Sequence, residues 1–90
     1  MLRKCYIQMD NYTWNRLSPG DVLKGPNGLI LEVIKVDQYT RSKPVGMLCM
    51  NLLAANHYRI SKYDIQTYTQ IESDDPSYRA AKILFGKSQF

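Results

Sequence analysis

The sequence predicts a small, mainly β protein: a closed barrel of five to six short strands followed by one short C-terminal α-helix. Three observations predict it. Short stretches in which apolar and polar residues alternate, the mark of half-buried strands, recur through position 71. Leu29 to Asp37 is apolar on both faces at its start and mixed later. That pattern suits a strand that bends from one sheet of a barrel into the next, so that its buried side changes on the way. After Ser73 the apolar spacing changes to that of a helix.

Arg3 to Met9 alternates, with Cys5, Ile7 and Met9 on one side and Lys4, Tyr6 and Gln8 on the other, which predicts a first strand. Asp10-Asn11 then reads as a turn, and Tyr12-Thr13-Trp14, rich in strand formers, as more strand. Trp14, the single tryptophan, either plugs one end of the core with its indole N–H at the rim or offers a stacking platform. A lone aromatic without a patterned partner favours the plug. Leu17 to Asp37 is the central hairpin. Ser18-Pro19-Gly20-Asp21 has turn chemistry, Val22-Leu23 begins a strand, and Gly25-Pro26-Asn27-Gly28 suits a type I turn closed by a left-handed glycine. Leu29 to Val36 is the strongest strand in the chain.

Gln38 to Pro44 has no apolar periodicity and reads as a loop. Val45 to Met50 resumes as strand. Asn51 to Asn56 is open between one helical turn and a continued strand. His57 to Ser61 alternates, Ser61 to Asp64 predicts a short 3₁₀ turn, and Ile65 to Ile71 predicts the last strand. Asp75 is placed to cap a helix with Pro76 at its first position, Tyr78, Ala81, Leu84 and Phe85 on its apolar face, and Gly86 at its end. So short a helix needs a surface to dock on, either its own barrel or a partner. The division is a barrel over 1–72, a helix over 73–86 and a tail over 87–90, all in one domain.

Ninety residues, 44% apolar and 22% charged, suit one globular domain, and the net charge of +4 favours polyanionic partners. Cys5 and Cys49 have apolar neighbours and no second ligand at zinc-like spacing, which predicts two reduced core cysteines. No apolar run of signal-peptide length follows Met1-Leu2-Arg3-Lys4, and no stretch is long enough to cross a bilayer, so the expectation is a cytoplasmic protein that does not engage membranes.

The number of strands, the 3₁₀ turn before the last strand and the opening hairpin resemble Src-homology-3-like small barrels. Within that group, Gly20-Asp21, Val22-Leu23, the Gly25 to Gly28 turn and Leu29-Ile30-Leu31 are similar to a KOW-type unit. The loop between the two strands is shorter than usual there, and its basic residue and glycine are reduced to Lys24 and the Gly-Pro-Asn-Gly turn. The resemblance implies binding to RNA, DNA or the transcription and translation machinery. The general organisation also looks like small bacteriophage-encoded proteins.

No constellation in the sequence dictates a reaction, so a non-enzymatic protein with no cofactor is expected. His57 is the only histidine, which leaves no His pair for a metal. Asp74-Asp75 is explained by helix capping, and no helix follows the Gly25 to Gly28 turn to make it a phosphate cradle. Two binding readings compete. In the first, DNA or RNA binds through Lys24, Lys35, Tyr39, Arg41, Lys43, Arg59 and Lys62, whose cations would neutralise phosphates while tyrosine rings stack on bases. Tyr58 and Tyr63 lie among them, and the segments at 38–44 and 62–64 are expected to share an edge. Glu32, Asp37 and Asp64 dilute the cluster. In the second, the seven tyrosines and the helix face of Tyr78, Leu84 and Phe85 bind a protein, as a small regulator of a host protein would.

Overall fold

The computed structural model describes residues 7–88. Its strands form one antiparallel sheet in the order β1-β6-β2-β3-β4-β5. These are β1 (Ile7–Gln8), β2 (Val22–Lys24), β3 (Ile30–Thr40), β4 (Lys43–Asn51), β5 (Asn56–Ser61) and β6 (Thr69–Ile71). The helices are α1 (Asn11–Arg16) and α2 (Pro76–Ser88). The protein is therefore mainly β with a C-terminal helix, as expected. The ladder itself is open: β1 and β5 are its two edges, and among the described residues no pairing joins them. The chain leaves β5 in a 3₁₀ segment, Lys62–Thr67, rather than in a strand. No helix is long and apolar enough to cross a membrane among the described residues.

The mixed faces of β3 have a concrete cause. Val33 pairs with Cys49 and Val36 with Met47, so three steps along β3 match two along β4. The register shift between Val33 and Lys35 is a bulge, and an extra residue turns the following side chains to the opposite face. Both Val33 and Val36 consequently reach the main core, with Met9, Trp14, Leu17, Leu23, Leu31, Met47, Cys49, Ile60, Ile65 and Tyr68. The opposite face, at the start of β3, forms a second core: Val22, Ile30, Leu52 and Ile71 close on Ala81 of α2, with Tyr78 and Phe85 packed beside it. Helix α2 thus docks on its own sheet.

Several segments depart from the sequence reading. Tyr12-Thr13-Trp14 is helix, not strand. Asp10 is its N-cap, its carboxylate accepting the Thr13 N–H at 2.8 Å, and that local bond decides against the β propensity of the aromatic residues. Trp14 is wholly buried and donates Nε1–H to the Pro44 carbonyl at 2.7 Å, so it is the plug and presents no stacking face. Of the expected first strand only Ile7–Gln8 pairs; Arg3 to Tyr6, Cys5 included, lie outside the described residues. Ile65 to Thr67 belong to the 3₁₀ segment, held by Thr67 Oγ1 donating to the Asp64 carbonyl and Tyr68 N–H donating to that of Ile65. Only Thr69–Ile71 remains as strand.

The turn after β2 holds the left-handed conformation at Asn27 as well as Gly28 (φ 61° and 78°), which is not the type I geometry expected of Pro26-Asn27. Leu52 to Ala55 is neither helix nor strand but a hydrogen-bonded turn joining β4 to β5: Ala55, with φ 56°, donates its N–H to the Asn51 carbonyl, and the Asn51 side chain accepts from Leu53 and Ala54 N–H. Asp75 caps α2 as expected, its buried carboxylate accepting the Ser77 N–H at 2.8 Å. Gly86 does not end α2. It keeps a negative φ, and the helix runs on to Ser88.

Candidate nucleic-acid interface

The expected loop at 38–44 is instead the far half of the β3–β4 hairpin. Tyr39 pairs with Pro44 and Thr40 with Lys43, and Arg41-Ser42 makes the reversal with φ of 53° and 67°. Positive φ at both central residues is the type I′ turn, whose twist matches the strands that flank it. The sequence pattern concealed these strands because Gln38 to Lys43 are exposed and bury neither face. The result is a two-stranded ribbon that carries Tyr39, 60% exposed, with Arg41 and Lys43 at its end.

The sheet register decides which other candidates join this ribbon. Gln38 pairs with Gly46 and Gly46 with Ser61, so the 3₁₀ segment that begins at Lys62 starts level with the ribbon's base. Tyr63 within that segment is almost fully exposed. One step further back, Lys35 pairs with Leu48 and Leu48 with Arg59, which puts Lys35 and Arg59 on one face of the sheet. Lys24 is not brought in. It pairs with Ile30, at the opposite end of β3 from the turn, about 30 Å away at ordinary strand rise. Tyr58 is directed elsewhere: it pairs with Cys49 on the core face and hydrogen-bonds Tyr68.

Of the three acidic residues expected to dilute the cluster, Glu32 and Asp37 are engaged in the fold, whereas Asp64 stays exposed in the 3₁₀ segment beside Lys62 and Tyr63. Glu32 accepts from Lys82 Nζ at 2.9 Å and from the Tyr78 hydroxyl at 3.1 Å, on the side covered by α2. That bond holds the Lys82 ammonium above its ordinary pKa. Asp10 and Asp75 cap helices, and Asp21 accepts the Ser18 N–H. Asp37 forms an ion pair with Arg59. One signal went unread: no Asp or Glu occurs between positions 38 and 63, a span that covers the ribbon, β4, β5 and the start of the 3₁₀ segment. That run carries Arg41, Lys43, Arg59 and Lys62, with Asp37 and Asp64 at its two ends.

Among the described residues no group of three or more His, Cys, Asp or Glu is placed to hold a metal. His57 is exposed. Open grooves of about 400 Å³ beside Val22 and Ile71, about 380 Å³ beside Tyr12 and Arg16, and about 510 Å³ beside Met9 and Ile65 are of small-molecule size, whereas the one lined by Glu32, Ile34, Met50, Leu52, Lys82 and Phe85 is about 190 Å³. Burial first, and then the Asp37 charge, push the Cys49 thiol up to about 12, and burial with the Tyr58 hydrogen bond raises the Tyr68 phenol as well. Cys49 is a free thiol in the core. It is expected to resist alkylation in the native protein at pH 8 and to react once the chain is unfolded; rapid labelling of the native Cys49 peptide, read by mass spectrometry, would contradict its burial. Because the folded value exceeds the ordinary 9.0, this contribution to stability is intact below pH 9 and is lost as pH rises toward about 12.

Comparison with known protein families, curated proteins and solved structures found no match.

Proposed function

We propose that the protein is a non-enzymatic nucleic-acid-binding module, built on a small Src-homology-3-like barrel, that engages DNA or RNA through the β3–β4 ribbon and the adjoining start of the 3₁₀ segment. The observation that carries this reading is the exposed ribbon itself: Tyr39, Arg41 and Lys43 on a two-stranded projection, inside a span without a carboxylate. Cations of this kind release counterions from phosphates, and an exposed phenol ring can stack on an unpaired base. The KOW-like hairpin and the 3₁₀ segment directly before β6 support the barrel kinship.

The test removes charge without disturbing the turn. Arg41→Asn tolerates the left-handed backbone, and Lys43→Gln keeps an exposed polar side chain. The double variant is expected to weaken binding of short DNA or RNA by about tenfold or more, and to reduce the slope of log K against log salt by roughly 0.7–0.9 for each lost phosphate contact. Its thermal midpoint should stay close to that of the parent. Gel shift or fluorescence anisotropy at several salt concentrations checks both. No binding by the parent at low salt, or equal binding by the variant, would sink the proposal.

A protein partner is the second reading, and one observation favours it. Ile83 and Leu84 on α2 are 61% and 52% exposed. Tyr78 and Phe85, the other residues expected on that surface, pack against the sheet instead. Co-purification of a protein that survives nuclease treatment would support this reading.

A further inference from the structure

The Asp37–Arg59 pair is unusual on the Asp37 side. The Asp37 side chain is 10% exposed, both its carboxylate oxygens are shut off from water, and neither accepts an aligned hydrogen bond. Its sole compensation among the described residues is the Arg59 guanidinium lying against it. Arg59 is in the reverse situation. Its side chain is 59% exposed, and a guanidinium has five donors, most of which this contact leaves unused. Asp37 also falls within the register shift between Val36 and Gln38, at the base of the ribbon. The extra residue there places a carboxylate beside the basic surface, in the only part of β3 that borders the acid-free span.

We propose that Asp37 acts as an intramolecular stand-in for phosphate, occupying Arg59 so that the guanidinium is withheld from a nucleic-acid backbone until a phosphate displaces it. This rests on the nucleic-acid reading above and deepens it by naming a residue that sets affinity from within the fold. A carboxylate and a phosphate present the same kind of acceptor oxygens to a guanidinium, so the two compete for one cation. The pair lacks the bidentate alignment that makes such contacts strong, so exchange for a phosphate is feasible. A buried carboxylate left behind then opposes full release of Arg59, which keeps binding weaker than the count of positive charges would give.

The experiment compares the parent protein, Asp37→Asn, Arg59→Gln and the double variant, with oligo-dT as probe in fluorescence anisotropy across a salt series. Asp37→Asn is near-isosteric and is expected to tighten binding about three- to tenfold and to steepen the salt slope by roughly 0.7, one added phosphate contact. The double variant is expected to bind like Arg59→Gln alone, because the gain passes through Arg59. Weaker binding by Asp37→Asn would show that the carboxylate orients Arg59 for the ligand and would overturn the proposal. If no variant binds oligo-dT, the functional reading has failed, and a second measurement decides this one. NMR of the Arg59 side-chain N–H groups during titration with inorganic triphosphate should show a shift in both proteins, at a several-fold lower triphosphate concentration in Asp37→Asn than in the parent. Equal responses in the two proteins would overturn it.

Discussion

Trp14→Ala is expected to destabilise the protein by about 3–5 kcal/mol, the cost of removing a large buried aromatic side chain. A domain of this size has only roughly 5–15 kcal/mol in total, so the variant stands near the edge of unfolding. The magnitude follows from position. Trp14 is wholly buried and sits in the main core beside Met9 and Leu17, with which it ties the α1 segment to the sheet. Its Nε1–H bond to the Pro44 carbonyl fastens α1 to the start of β4. Trp14→Phe keeps most of the apolar bulk but leaves that carbonyl without its donor, and should cost about 1–3 kcal/mol. Urea unfolding followed by far-ultraviolet circular dichroism orders the three proteins. An alanine variant within about 1 kcal/mol of the parent would mean that α1 is not part of the cooperative core.

Ala81→Asp is expected to be about as damaging, and for a different reason. Ala81 is the point at which α2 meets Val22, Ile30, Leu52 and Ile71, and no cation is among those residues. An uncompensated charge there costs roughly 3–5 kcal/mol if the helix stays docked. The alternative for the chain is to undock α2, and an isolated helix of this length is marginal in water. Either way, amide hydrogen exchange over 76–87 should speed up and the denaturation midpoint should fall. Ala80→Asp, one residue away on the exposed side, serves as the control and should stay within about 0.5 kcal/mol of the parent. Equal behaviour of the two variants would show that α2 does not use the Ala81 face.

Where a segment buries one face, its pattern was legible in the sequence. The central hairpin, β4 and the capped start of α2 all have apolar residues at the spacing of the element they form. Even the two-sided start of Leu29 to Asp37 was informative: the bulge after Val33 is a change of buried side. The misreadings share a physical cause. Tyr12-Thr13-Trp14 has strand-forming residues, but the Asp10 cap acts on the backbone directly and nucleates a turn of helix. Gln38 to Lys43 forms strand without burying anything, so no periodicity could reveal it. Ile65 to Thr67 alternates, yet local side-chain and backbone bonds hold it in 3₁₀ form. The candidate site was legible as composition only. Which cations gather depends on register, and register placed Lys35, Arg59 and Lys62 near the ribbon and Lys24 at the far end of β3. That Asp37 neutralises Arg59 could not be read from residues 22 positions apart.

The bond from Trp14 to Pro44 has a practical meaning beyond stability. The chain contains one tryptophan, and it lies at the root of the ribbon in a dry, apolar surrounding. The molecule therefore carries an intrinsic fluorophore whose emission reports on a single place. Its colour registers whether water has reached the core, and its intensity registers the indole's contact with the strand that carries Lys43. Unfolding and ligand-induced movement of the ribbon can thus be followed by light from the unlabelled protein, with no other indole to confuse the two.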